Sequence, residues 1–219
     1  MTAAAMDNDV LLKGACYRLI WDMIACVPAQ PSEMGYLATA RFVLAAKLQR
    51  VRLVGSADEY RELIDSAIGL GEEMEPTDAE VRVAAELEYA AQLAAISLDA
   101  GETLLCAMVT ERGIGKFITG DKRAIGSLEA LAQHHFALTR LAGRVVCLEQ
   151  LIQAVVGALG PAAVRLAVCA EPRVDRTLAI CFGCSSPEAG PDSWTDGLAS
   201  YIAAIQQIAP MLMSAAREP

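Results

Sequence analysis

The chain has 219 residues, of which 54% are hydrophobic and 21% are charged, and its formal net charge is −9. This length suits one sizeable domain or a domain with an extension, and the apolar content excludes disorder over most of the chain. The negative charge argues against a broad basic surface for nucleic acid or for an anionic membrane.

The predicted elements begin with a short apolar strand, residues 3–6, which ends at Asp7, Asn8 and Asp9. The next apolar pattern predicts one helix over residues 10–25, ended by prolines. Four helices are predicted to follow, over residues 33–50, 57–73, 77–97 and 98–113. The last of these is apolar almost all round, which predicts that it is deeply buried.

The clearest strand is KFITG, residues 116–120, and the pattern predicts a helix over residues 121–135 directly after it. RVVCL, residues 144–148, predicts a further strand, with a helix through Leu159 behind it. Strands that alternate with helices predict an α/β fold, in which a central parallel sheet carries helices on both faces.

The most apolar stretch, residues 151–170, is interrupted by Gly160 and Pro161 and carries Arg165. It therefore predicts a buried pair of helices rather than a membrane span. The start of the chain lacks the basic region of a secretory signal, so we expect a cytoplasmic protein. We predict a first domain over residues 1–159 and a mostly helical C-terminal extension over residues 160–219.

The seven cysteines are odd in number and mostly lie in apolar surroundings, which predicts reduced, buried thiols. Cys181 and Cys184 have the spacing of zinc ligands, but no second pair accompanies them, so a metal–thiolate site is not favoured.

Acidic residues stand where functional groups gather in parallel sheets, beyond the carboxyl ends of the strands. Asp7 follows the first predicted strand, and Asp121 follows the clearest one. If these strands are neighbours, both carboxylates lie at one edge, and a buried helix beginning there would add Glu102. Three such carboxylates repel one another unless a divalent cation binds between them, and oxygen ligands suit Mg²⁺ or Mn²⁺. Metal-assisted phosphodiester hydrolysis is the chemistry that this pattern indicates.

Each acid also has a structural interpretation. Asp99 and Glu102 have capping-box spacing at the start of a helix, and Asp121 and Asp7 suit N-caps. The aromatic residues on apolar helix faces are predicted to be core residues, namely Trp21, Phe42 and Tyr36.

Three segments together resemble the PIN-domain family: MDNDVLLK at the start, LDAGETLLCAMVTERG in the middle and KFITGDKRAI after it. The resemblance implies a three-layer α/β/α sandwich with a central parallel sheet. It also implies an Mg²⁺- or Mn²⁺-dependent ribonuclease, since many family members are such enzymes, including the toxins of bacterial toxin–antitoxin pairs.

The resemblance assigns the metal ligands and catalytic residues to Asp7, Glu102 and Asp121, with Asp99 and Asp9 as auxiliary ligands. Thr119, in the Thr-x-Asp pattern, would orient a ligand or a water. The expected substrate contacts are Thr119, Lys122, Arg123 and Lys13. RNA is the expected partner of an active enzyme, a protein partner or antitoxin and a homodimer stay open, and no membrane is expected.

One feature departs from the family, which usually carries a glutamate in the second or third helix. Glu33 is available in that region, but the register favours Gly35 or Tyr36. A catalytically degenerate, PIN-like interaction protein is therefore one alternative. A haloacid-dehalogenase-like phosphatase is the other, with Asp7 as nucleophile and Asp9 as acid–base, although Ile125 stands where a further acid is expected.

Overall fold

The computed structural model describes residues 2–186 and 188–215, so Pro187 and residues 216–219 of the predicted extension lie outside the described residues. Five parallel strands form one sheet in the order β3-β2-β1-β4-β5. They are β1 (Ala4–Met6), β2 (Met34–Leu37), β3 (Glu72–Met74), β4 (Lys116–Thr119) and β5 (Val145–Cys147). The predicted α/β fold with a parallel sheet is confirmed.

Eleven α-helices are present in the described part of the chain. They are α1 (Asn8–Cys16), α2 (Ile20–Ala25), α3 (Ala40–Leu48), α4 (Ala57–Leu70), α5 (Asp78–Leu93), α6 (Ala100–Arg112), α7 (Lys122–Ala132), α8 (Leu148–Leu159), α9 (Pro161–Ala170), α10 (Arg176–Cys181) and α11 (Pro191–Ile208). Helix α1 packs against α2, α3 and α4, whereas α6 packs against α5, and both α1 and α6 contact β4. This packing is consistent with a three-layer sandwich. None of the helices in the described ranges is long and apolar enough to cross a membrane.

The two central strands, β1 and β4, are largely buried. All three residues of β1 are buried, and Phe117 and Ile118 of β4 are each 1% exposed. Buried apolar strands are typical of parallel sheets covered on both faces. The centre of the sheet is therefore covered by helices on both faces.

The predicted helix over residues 33–50 is wrong in its first part, because Met34–Leu37 form β2 and helix α3 begins only at Ala40. All four residues of β2 are buried between β1 and β3. A Cβ at Gly35 would lie 2.6 Å from side-chain atoms of both Met74 and Thr2, so these side chains pack closely over β2 and would have to shift for a larger residue. Strand pairing thus overrides the local helical pattern.

The predicted helix over residues 57–73 is also too long, because α4 ends at Leu70 and the next residues enter β3. A Cβ at Gly71 would lie 2.5 Å from the Met34 carbonyl oxygen. This close approach of two backbones ends the helix beside β2.

The single helix predicted over residues 10–25 is divided into α1 and α2 by a turn in which Arg18 has a φ of 56°. A Cβ at Gly14 would lie 3.1 Å from Met23 Sδ and 3.3 Å from Ile20 Cα, so α2 folds back closely onto α1. This turn leaves Trp21 38% exposed, against its predicted core position.

Two further aromatic predictions are settled by burial. Tyr36 is fully buried, as predicted, but Phe42 on α3 is 78% exposed. Phe42 is not a core residue because α3 turns this side chain away from α1 and α4, while Leu44 is buried.

The region beyond residue 160 is mostly helical, as predicted, and packs onto the rest of the chain. Val164, Leu178 and Leu198 belong to the same hydrophobic core as the sheet. Near the end of the described chain, Met213 forms a parallel bridge with Val145 of β5. The division at residue 160 stays a prediction, and the apolar core is continuous across it.

The prediction of seven reduced thiols is wrong, because Cys169 and Cys184 form a disulfide with a Cα–Cα distance of 5.2 Å. The other five cysteines are free. Because Cys184 is bonded to Cys169, it cannot act as a thiolate ligand together with Cys181.

A buried carboxylate ties the C-terminal region to the loop between α3 and α4. Glu171, 1% exposed, accepts hydrogen bonds from the Val54 amide at 2.9 Å, the Gly55 amide at 2.5 Å and the Tyr60 hydroxyl at 2.8 Å. A buried carboxylate with this many donors is well satisfied, and its removal leaves those donors without a partner.

We expect Glu171→Ala to lower the free energy of unfolding by about 2 kcal/mol, because it leaves two amides and a hydroxyl without their acceptor. Tyr60→Phe removes one of these bonds and should cost about 1 kcal/mol. Urea unfolding followed by circular dichroism measures both. Glu62→Ala, an exposed acid on α4, is the matched control and should change stability by less than about 0.5 kcal/mol; an equal effect at Glu62 and Glu171 would contradict the anchoring role.

Candidate functional site

A cavity of about 580 Å³ lies at the carboxyl ends of β1 and β4. The two strands pair in parallel, with Met6 opposite Ile118, and the Asp7 amide donates to the Ile118 carbonyl at 2.9 Å. Asp7 and Asp121 therefore emerge at the same edge, and both line the cavity. A second, mainly apolar cavity of about 780 Å³ lies beside α2 and α8, and the described residues that line it include no carboxylate.

Asp7 stands at the N-cap position of α1, but its side chain makes no capping hydrogen bond to that helix. Its Oδ2 accepts a 3.4 Å hydrogen bond from the Thr119 hydroxyl. Burial, reinforced by the charge of Asp9, raises the pKa of Asp7 to about 6, against the smaller lowering effects of the Asn8 amide and Lys47. A half-buried acid with a raised pKa that does not serve as a cap is a candidate for a functional group.

Glu102 and Asp99 form a capping box at the start of α6. Asp99 Oδ1 accepts from the Glu102 amide at 2.9 Å, and Glu102 Oε2 accepts from the Asp99 amide at 3.1 Å. Burial raises the pKa of Glu102 to about 7, and the charges of Asp99, Asp121 and Asp7 add to the increase. Glu102 therefore caps a helix and also lies in the electrostatic field of the acids that follow β1 and β4.

Asp121 caps α7, accepting from the amides of Arg123 at 2.8 Å and Ala124 at 3.2 Å. Burial acts to raise its pKa, but these amides and the Arg123 guanidinium outweigh burial and lower the pKa below its ordinary value. The Asp121 amide donates to Thr119 Oγ1 at 3.2 Å, while the same hydroxyl donates to Asp7. Thr119 therefore links the two acids.

Asp9 is held in an ion pair. Lys13, one turn further along α1, places Nζ 2.6 Å from Asp9 Oδ2 and 2.7 Å from Asp175 Oδ2. Burial alone would lower the pKa of Lys13, but the two carboxylates raise it. A Cβ at Gly120 would lie 2.3 Å from Asp9 Oδ2, so the turn after β4 needs glycine there.

The predicted substrate contacts Lys122 and Arg123 differ in their surroundings. Lys122 Nζ lies 2.7 Å from Glu149 Oε1, donates to the Thr177 hydroxyl at 2.8 Å and lies 5.0 Å from the centre of the Tyr201 ring. The Arg123 side chain is 92% exposed and reaches Asp121 Oδ2 at 3.3 Å. Lys122, like Lys13, is thus paired inside the protein, whereas Arg123 extends into solvent.

Sequence reasoning did not identify the contribution of α3 to this cavity. Thr39, Val43 and Lys47 line it at intervals of four residues, the spacing that places side chains on one face of a helix. Glu33 lies before β2, where it accepts from the Gln30 amide at 2.8 Å, whereas the cavity lies beyond the other end of the strands. Had residues 34–37 been predicted as a strand, α3 would have been expected to begin at the same edge of the sheet as the acids, with one face toward the cavity.

Sequence reasoning also did not identify Asp175 and Thr177, which line the cavity from the C-terminal region. Asp175 caps α10 by accepting from the Leu178 amide at 2.9 Å, and it pairs with Lys13. Neither residue belongs to a recognisable motif, and only tertiary packing brings them to the edge of the sheet.

The acids of this cavity offer only oxygen donors, and the described residues that line it include neither histidine nor cysteine. Such a donor set fits Mg²⁺ or Mn²⁺ in chemistry. Within residues 2–186 and 188–215, no group of three or more His, Cys, Asp or Glu side chains is arranged to hold a metal ion. The side chains therefore fit a divalent cation in chemical kind, but no three of them are placed to hold one together in this structure.

Comparisons with known proteins give no match for this chain among protein-family models, curated proteins or solved structures.

The raised pKa of Asp7 predicts a pH-dependent stability. A carboxyl whose pKa is higher in the folded than in the unfolded protein stabilises the fold at low pH, and this contribution is lost as the pH rises through about 6. In EDTA at pH 8, Asp7→Asn should therefore be more stable than the original chain by about 2 kcal/mol.

This difference should disappear below about pH 4, where Asp7 is protonated. Thermal unfolding across this pH range measures it. Glu62→Gln removes the same charge from an exposed position on α4 and should show no such pH-dependent gain; a gain of equal size in both variants would point to net charge instead of burial.

Proposed function

We propose that this chain is a PIN-like, metal-dependent ribonuclease that hydrolyses RNA phosphodiester bonds, as do the toxins of toxin–antitoxin pairs. The observation that carries the proposal is the electrostatic coupling of acids from three distant segments. Asp7 and Asp121 follow adjacent parallel strands, and their charges help to raise the pKa of Glu102. The order of these acids in the chain matches the pattern of the PIN resemblance.

Asp7, Glu102 and Asp121 would hold a Mg²⁺ or Mn²⁺ ion, with Asp99 at the same end of α6, after their side chains move closer together than they lie in this structure. When bound, such an ion supplies an activated water and stabilises charge on the phosphate. The capping box engages Glu102 Oε2 and Asp99 Oδ1, which leaves Glu102 Oε1 and Asp99 Oδ2 as donors. The caps at α6 are therefore compatible with a role for the same residues in cation binding.

The remaining residues orient the acids. Thr119 positions Asp7 through its hydroxyl and the backbone of Asp121 through its oxygen. Asp9 is directed toward Lys13, so it acts on Asp7 through its charge. Because Asp7 and Glu102 bind protons near neutral pH, protons compete with a cation for the site, and cation affinity should fall as the pH is lowered.

The net charge of −9 gives no long-range attraction for RNA. Binding would depend on local cations at the cavity and on the bound metal. A protein partner such as an antitoxin, or a second copy of the chain, would supply the basic or apolar surface that this chain does not provide over a broad area.

A non-catalytic, PIN-like interaction protein is the second candidate function. It is favoured by the caps, because Asp99, Glu102 and Asp121 each accept hydrogen bonds from helix amides. It is also favoured by the ion pairs of Asp9 with Lys13 and of Lys122 with Glu149. In this case the acids serve local structure and no cation is required.

For the nuclease, we expect Asp7→Asn and Asp121→Asn each to lower Mn²⁺-dependent cleavage of a fluorescein-labelled single-stranded RNA by at least about 100-fold. The reason is the loss of an anionic ligand. Glu86→Gln, an exposed acid on α5, should cleave like the original chain. Circular dichroism verifies that all variants fold, and cleavage by Asp7→Asn and Asp121→Asn at the original rate would rule out this assignment.

Cation binding separates the two candidates without any assay of activity. A ligand at 100 times its dissociation constant stabilises the folded state by about 2.7 kcal/mol. Excess Mn²⁺ should therefore raise the melting temperature of the original chain at pH 8 and not that of Asp7→Asn. No shift in the original chain would support the interaction protein.

A further inference from the structure

The cationic side chains that line the cavity differ in whether they are already paired. The four are Lys13, Lys47, Lys122 and Arg123. Lys13 is paired with two carboxylates, Lys122 with Glu149, and Arg123 with Asp121. Across the described residues, Lys47 makes no ion pair and no side-chain hydrogen bond.

Helix α3 places Lys47 at the cavity that the acids also line. Lys47 lies one turn beyond Val43 on the face of α3 that lines the cavity, and its backbone position is in the last turn of the helix. Its side chain is exposed. The ammonium group therefore borders the same cavity as the acids without forming an ion pair with any of them.

An anionic ligand entering this cavity meets several carboxylates, which repel it. Lys13 and Lys122 can contact a phosphate only by giving up buried ion pairs, and breaking such pairs is costly. An exposed lysine on a flexible stem loses no partner when it contacts a phosphate. Arg123 gives up only an exposed pair, but its partner is Asp121, one of the proposed ligands. Among the lysines that line the cavity, Lys47 is therefore the one that can bind an anion without breaking an ion pair.

We propose that Lys47 is a substrate-binding residue of this site, which contacts a phosphate of the RNA and so determines substrate affinity. The inference rests on the proposed nuclease function. In this proposal the face of α3 that lines the cavity contacts the substrate. Val43 supplies an apolar group there and Lys47 a cationic one.

The test compares Lys47→Gln with Arg50→Gln, which removes the same charge three residues further on, from an exposed position outside the cavity lining. The probe is a short fluorescein-labelled single-stranded RNA with Mn²⁺. Lys47→Gln should raise both Kd, from fluorescence anisotropy, and KM by about tenfold, while kcat stays within about twofold. The slope of log affinity against log salt should become shallower by about 0.7.

Mn²⁺-dependent thermal stabilisation, measured without RNA, provides a readout independent of activity. It should be as strong in Lys47→Gln as in the original chain or stronger, because Lys47 contacts the substrate and not the cation. Arg50→Gln should match the original chain in every measurement. Equal RNA affinity in Lys47→Gln and Arg50→Gln, or a loss of kcat with an unchanged KM, would overturn the role of Lys47.

The same titrations separate this inference from the nuclease proposal. If the original chain binds the RNA without cleaving it, the nuclease proposal fails, and the comparison of Lys47→Gln with Arg50→Gln still decides the role of Lys47. If the original chain neither binds nor cleaves the RNA, both are rejected.

Discussion

The parallel pairing of β1 with β4 is the constraint on which the rest of the site depends. It is made by short, largely buried strands, and it brings Asp7 and Asp121 to one edge of the sheet although they are far apart in the chain. Residues that follow neighbouring parallel strands lie at the same edge of the sheet. The strand order therefore determines that Asp7 and Asp121 lie near each other. The start of α6 then adds Glu102 to the same electrostatic field.

Collecting buried carboxylates is unfavourable, and the surrounding structure offsets part of the cost in two ways. Backbone amides donate hydrogen bonds to the carboxylates of Asp121, Asp99 and Glu102. Lys13 forms ion pairs with both Asp9 and Asp175. Burial, with a smaller addition from the charges of neighbouring acids, raises the pKa values of Asp7 and Glu102. Both carboxyls therefore retain protons to a higher pH than exposed acids do.

The C-terminal region is part of this arrangement. Asp175 holds Lys13, and Thr177 accepts a hydrogen bond from Lys122, so two cations at the edge of the sheet are positioned by residues beyond the predicted domain boundary. Glu171 ties the same region to the loop before α4. The extension thereby shapes the cavity as well as the core.

The sequence by itself determined the α/β class, the strands at β1, β4 and β5, and the caps of α6 and α7, because these depend on local periodicity and on side chains bonding to nearby amides. Tertiary structure alone decided that Met34–Leu37 is a strand, that Lys47 lines the same cavity as the acids, and that Asp175 reaches Lys13. Such features depend on which distant segments pack together. Residues 34–37 form strand β2 because β1 and β3 pair with them. The direction of a side chain on α3 in turn depends on where β2 ends.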